Sequence, residues 1–276
     1  KDNMKNNMDE EIITIFVIVD NVLKAIGHKD DKQVKMSESE IITTGLVAAK
    51  YFSGVYEKAR NFLHSHGYMK NMLTKGRFNV RVHRVDISTW NYIMKIFVKT
   101  SKEKEFIIDS FPVPVCSNVR VSRSKLYCSK KEYWGYNAIK KIHYFGLKVH
   151  MLATATGRPI EFHITPASVH DMKALKSFSL NVINKSLIYA DAAYNNYKFE
   201  DLLKKERGII LAAKRKSNAK RKPVIERKVH MKTRKRIETV FSCLLDSFPR
   251  AIRAITQKGF ELKLTLFICA FSIFMN

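Results

Sequence analysis

Three acidic residues carry the chemical promise of this chain. Asp109 closes the run "EFIID" and Asp191 follows "LIYA". Glu238 comes just after the stretch Lys214–Arg236, which holds twelve Lys or Arg and one other acid, Glu226. Each aspartate follows apolar residues of strand character, and functional groups of open α/β sheets collect at the carboxyl ends of strands. Two such carboxylates on neighbouring parallel strands repel each other, and desolvation adds to the cost. A divalent cation removes that cost. Mg2+ prefers oxygen ligands and keeps several waters, so it can also take phosphate oxygens. Glu238 offers a third carboxylate from a helix whose apolar face is read as Ile237, Val240, Phe241, Leu244 and Leu245. A site of this kind suits phosphodiester chemistry, in which one ion activates a hydroxyl and another, about 3.5–4 Å away, stabilises the leaving oxygen.

Each acid also has a local reading. A strand-end Asp is often a turn residue or a cap, and Glu is a good helix former. The combination, in this order and on this charge background, is more specific than any member. Asp171 is the rival second carboxylate. It opens a helix after "TPAS", where Asp171 or Ser168 reads as the cap, so Asp191 is preferred.

Basic residues surround the acids in sequence. Lys214, Arg215, Lys216, Lys220, Arg221 and Lys222 read as a loop that holds a DNA backbone. Lys148 and His150 lie two apart in "GLKVHML" and share one strand face. If that strand neighbours the one bearing Asp109, they are placed to face phosphate. Arg234 stands one helical turn before Glu238 and reads either as its ion-pair partner or as a DNA contact.

The elements that must position these groups are legible in outline. Residues 1–104 read as helical. "IITIFVIVDNVLKAI" is dense enough in apolar residues for a buried helix, with a strand as the alternative. "SESE" is a capping box with Ser37 as N-cap and Glu40 three residues on. "YEKARNFLHSHGY" and "TWNYIMKIFVKTSKE" read as further helices. With Lys58, Arg60, Arg77, Arg81 and Arg84 they suit a DNA-end-binding module or, equally, a plain bundle. From Glu105 the period changes. The order over 105–276 is strand, strand, strand, helix, strand, helix, strand, helix, ending in an apolar helix after Lys263.

The net charge of +25 over 276 residues points to a polyanionic partner. It is concentrated late in the chain, and residues 1–36 are near neutral. The four cysteines form no CxxC pair and read as reduced thiols. The apolar tail Leu264–Met275 falls short of the roughly 20 residues a membrane span needs. The opening "KDNMKNNMDEE" does not resemble a secretory leader. A cytoplasmic, nucleoid-associated location is expected.

The segments "FIIDSFPVPVC", "YFGLKVHMLATATGRPIEFHITPASVHDMKAL", "LIYADAAY" and "RKRIETVFSCL" resemble the core of bacterial DDE-type insertion-sequence transposases, and the insertion sequence 982 family in particular. The resemblance implies an α/β RNase H-like (retroviral integrase-like) catalytic domain over 105–276. It implies Asp109, Asp191 and Glu238 as catalytic metal ligands, Mg2+ as cofactor and Mn2+ as a substitute. The implied activity is cleavage of double-stranded DNA at terminal inverted repeats and transfer of a 3′-hydroxyl to target DNA, by a homodimer that brings two ends together. Related chains carry a Tyr-x2-Arg-x3-Glu-x6-Lys signature. Arg234 and Glu238 fit it, whereas Met231 and Leu245 stand at the Tyr and Lys positions, and Ala192-Ala193 replaces Lys-Gly. These departures keep open an alternative, a DNA-binding protein that has lost catalysis.

Overall fold

A computed structural model of the chain describes residues 2–100, 103–138, 140–180 and 182–275. Two units divide it, and the division is not a single cut. Lys1–Ile96 and Ser247–Met275 form one unit, and Phe97–Asp246 forms the other.

The first unit begins with helices α1 (Asp2–Ala25), α2 (Glu38–Tyr51), α3 (Tyr56–Ser65) and α4 (Lys75–Arg84), and with the start of α5 (Ile87–Thr100). The expected capping box opens α2. Glu40 N–H donates to Ser37 Oγ at 3.2 Å, and Ser37 N–H donates to Glu40 Oε2 at 2.7 Å. Once started, α2 has little contact with water, because Ile41 to Ala49 are all buried. Of the basic residues read as a DNA-facing set here, Arg60 is buried at 7% exposure and is held by Glu57 at 2.9 Å. Arg81 lies 3.8 Å from Asp30.

The second unit is built on one sheet. Its elements in chain order are β1 (Glu105–Cys116), β2 (Trp134–Asn137), β3 (Ile142–Thr154), β4 (Pro159–Pro166), α6 (Asp171–Leu175), β5 (Leu187–Ala190), α7 (Tyr197–Arg207), β6 (Ile210–Ala213) and α8 (Arg227–Ser247). The expected order holds, with β2 as an addition. Among the described residues the sheet runs β2-β3-β1-β5-β6, with β4 also paired to β3. β3 is antiparallel to β1, and β5 and β6 are parallel to it and to each other. The sheet core gathers Phe106, Ile108, Leu152, Ile188, Ala190 and Leu211, all nearly or fully buried.

β1 corrects one expectation, because it does not end at Asp109 but runs on to Cys116. Beyond Ile108 it has no β5 partner, so one side is a free edge, where Pro112 and Pro114 are tolerated. Across the ladder, Gly146 faces Pro114 at a bulge. A Cβ there would collide with the Val113 carbonyl oxygen, so only glycine fits this approach.

The last helix, α9 (Gln257–Phe274), belongs to the first unit, although a boundary at 104/105 assigns it to the second. It is apolar nearly all round, with Leu264 to Ala270 buried, and such a helix must be covered by other helices. It packs on α2 so closely that a Cβ on Gly45 would lie 3.1 Å from Leu266 Cδ2. Among the described residues no helix is long and apolar enough to cross a membrane.

Candidate active site

Strand register builds the centre of the site. The parallel pairing of β1 with β5 ends at Ile108 opposite Ala190, so Asp109 and Asp191 are the next residues of the two strands. Asp109 stays in the sheet, paired with Met151 of β3, while Asp191 steps off the carboxyl end of β5 beside it.

α8 lies over them. His230 Nε2 bonds the Ala212 carbonyl of β6 at 2.8 Å, and Ile237, Val240, Phe241 and Leu244 are buried. Phe241 meets Phe111 of β1 with ring centroids 4.6 Å apart. Leu245, read as part of this face, is instead 39% exposed, because it falls past the stripe that the sheet covers.

Between these anchors Arg234 reaches down to both aspartates. Its Nη2 donates to Asp109 Oδ2 at 2.5 Å, and its Nη1 lies 3.3 Å from Asp191 Oδ1. The sequence reading assigns Arg234 to Glu238 or to DNA, and the structure assigns it to the aspartate pair. Tertiary proximity decides here, since an intrahelical pair competes poorly with two carboxylates in a half-dry cleft. Asp109 also accepts the Ser110 N–H at 2.9 Å. Burial pushes the Asp109 carboxyl above its ordinary range, against the pull of Arg234. Burial presses the Arg234 guanidinium down, but its acidic neighbours, Asp109 first and then Asp191 and Glu238, hold it higher than usual.

Glu238 is exposed one turn along α8, and its carboxylate adds to the negative field at Arg234. The three acids are not gathered within ligand distance of one another. Among the described residues, the only three His, Cys, Asp or Glu side chains whose ligand atoms lie within 4.8 Å of one another are His28, Asp30 and Glu38, in the first unit. There Asp30 Oδ1 accepts the Glu38 N–H of α2 at 3.0 Å, a helix-start contact.

Lys148 and His150 do stand on a strand adjacent to β1, but they face away from Asp109. They pair with Pro112 and Ser110, and alternate residues of a strand point to opposite faces. On that far face Lys148 Nζ donates to the Val169 carbonyl at 2.9 Å and to Asp171 Oδ1 at 3.3 Å. His150 is fully buried and bonds Thr165 Oγ1 at 3.0 Å, with its Nδ1 3.5 Å from Asp171. Ser110 Oγ donates to Asp171 at 3.2 Å. Asp171 is thus the centre of a polar cluster behind the sheet. It does not cap α6, and neither does Ser168: His170 Nδ1 accepts the Met172 N–H at 3.2 Å.

The basic loop after β6 divides into two sets. Arg215 is 5% exposed and is held by Glu200 at 2.5 Å and by Asn195, so it is part of the fold and not a surface cation. Arg221 grips Asp201 with two bonds of 2.7 and 2.8 Å. Both guanidinium groups lie over the Tyr197 ring, at 5.0 and 4.7 Å from its centroid. These arginines fasten the loop to α7. Lys214, Lys216, Lys220 and Lys222 remain exposed. The loop and the start of α8 enclose a cavity of about 470 Å³ whose lining includes Lys214, Lys216, Arg227 and His230 and no acid.

A family model described as the transposase DDE domain matches residues 100–273, a span that contains Asp109, Asp191 and Glu238. The chain belongs to the transposase DDE domain family. No curated protein and no solved structure matches it. In this transposase the paired aspartates, the helix above them and the basic loop lie in the matched span. Sequence reasoning missed two features, the bridging role of Arg234 and the Asp171 cluster. The only signal for either was proximity in sequence: Arg234 lies four residues from Glu238, and Ser110 follows Asp109.

Proposed function

We propose that this transposase cuts double-stranded DNA at the terminal inverted repeats of a mobile element and joins the 3′-hydroxyl to target DNA. The observation that carries this reading is the in-register delivery of Asp109 and Asp191 to one edge of the sheet, where they share a cation. A sheet with β1 central, β3 and β4 antiparallel in turn and β5 and β6 parallel supports an RNase H-like fold, and membership of the insertion sequence 982 family fits the motif order.

Asp109 on β1 and Asp191 just past the end of β5 are oxygen donors, a set suited to Mg2+, with Mn2+ as a substitute. Glu238 is one turn of α8 away and completes the set when its side chain swings inward. A divalent ion held there supplies activation of the attacking hydroxyl and stabilisation of the leaving oxygen. The chain's own residues do the rest. The strands fix the two carboxylates, and Phe111 and Phe241 keep α8 over them. The exposed lysines at 214, 216, 220 and 222 hold the phosphate backbone. The N-terminal helices recognise the repeats, and a homodimer brings two ends together in the bacterial cytoplasm.

The test is cleavage of DNA carrying the element's ends, with Mg2+ or Mn2+ added. Wild-type protein nicks at the repeat ends, and Asp191→Ala does not. Full activity of Asp191→Ala sinks the assignment. A second reading, DNA binding without catalysis, is favoured by Met231 and Leu245, which present apolar surface at 46% and 39% exposure at the Tyr and Lys positions of the signature that this chain resembles. It predicts salt-sensitive, metal-independent binding and no cleavage in any divalent ion.

A further inference from the structure

The Arg234 guanidinium fills the space between Asp109 and Asp191, at 2.5 and 3.3 Å from their oxygens and 15% exposed. It fits that space incompletely, because its Nε is buried with no hydrogen-bond partner. An arginine cannot be neutralised by deprotonation, so it leaves only by moving. Its backbone cannot carry it away, since His230 on one side and Ile237 and Phe241 on the other fix α8 to the sheet. The side chain alone must swing.

We propose that Arg234 is an internal counter-ion that holds the two aspartates together before metal arrives and is exchanged for the divalent cation. This rests on the reading of Asp109 and Asp191 as metal ligands. The cation and the guanidinium compete for the same oxygens, and a pair of positive groups at one point repel. Once displaced, the guanidinium moves out towards solvent, where the neighbouring α8 residues Lys235 and Arg236 are exposed. A DNA phosphate there gives it a new bidentate partner. Metal and DNA therefore favour each other's binding, and the coupling is reciprocal.

The experiment is titration of the full chain with Mn2+ alone, without DNA, reading free Mn2+ by electron paramagnetic resonance. Arg234→Gln should bind Mn2+ about tenfold more tightly than wild type, which corresponds to one charge-assisted bond of about 1.4 kcal/mol no longer competing. Asp191→Asn should lose this binding. In the unmodified protein, phenylglyoxal labelling of Arg234, read by peptide mass spectrometry, should speed up when Mn2+ is added. Wild-type binding that is lost in Asp191→Asn, with Arg234→Gln no tighter and Arg234 labelling unmoved, overturns the exchange and leaves the metal site standing. Absence of Mn2+ binding in every protein removes both. Should Arg234→Gln fail to fold, the labelling of wild type decides.

Discussion

At the scale of single residues, the two faces of β1 divide the work. Asp109 looks towards α8 and the bridging arginine, whereas Ser110 looks towards Asp171. Behind the sheet, burial holds His150 neutral and pushes its imidazole down to about 4 from the ordinary 6.5. Because the folded value lies below the unfolded one, the stability this residue contributes is complete above pH 6.5. It is lost as pH falls towards 4, with a slope of up to about 1.4 kcal/mol per pH unit. Urea midpoints measured at pH 7, 5.5 and 4.5 should therefore fall less steeply in His150→Gln than in wild type, whatever the variant's starting stability. Asp109→Asn should abolish metal-dependent cleavage as Asp191→Ala does. Lys148→Ala should instead reduce stability and leave sequence-independent DNA binding in place, because its ammonium serves Asp171 and Val169. Filter binding and thermal melts separate the two outcomes.

At the scale of elements, the loop after β6 is fastened by arginine and exposed through lysine. Arg215 and Glu200 are 5% and 9% exposed, so removing one leaves the other buried and unpaired. Glu200→Ala should cost about 3–5 kcal/mol in denaturant unfolding. Gly146→Ala places a methyl against the Val113 carbonyl and should cost about 1–3 kcal/mol or more, by the same measurement. Several elements were readable from pattern alone, among them the capped start of α2, the order of strands and helices after Glu105, and the apolar face of α8 at Ile237, Val240, Phe241 and Leu244. Others were not. β2 is four residues long with a glycine inside it, too short for a period to show. α4 buries only Phe78 and Val82, a single i, i+4 pair, and was not separately legible. β1 hid its second half because its apolar run stops at Asp109, and proline is disfavoured inside a strand: only the side left unpaired by β5 makes Pro112 and Pro114 acceptable.

At the scale of the whole molecule, the charge of +25 predicts binding dominated by phosphate contacts. Replacing Lys214, Lys216, Lys220 and Lys222 together by Ala should weaken DNA binding across sequences. It should also lower the slope of log K against log salt by about 0.9 for each phosphate that is no longer neutralised, measured by fluorescence anisotropy. Arg215 and Arg221 should not follow this rule, since their charges already serve Glu200 and Asp201.

The sequence by itself determined the candidate acids, the alternation of strands and helices that carries them, and the cationic surroundings. These are local properties, set by residue type and by periods of two and 3.6. Which groups meet was decided only by tertiary structure. Parallel register put Asp109 beside Asp191, and strand alternation turned Lys148 and His150 to the other face. The pitch of α8 aimed Arg234 at the aspartates and left Glu238 outside. Such outcomes depend on partners 43 to 125 residues away along the chain, as Arg234 is from Asp191 and from Asp109. No local pattern encodes a distance of that kind.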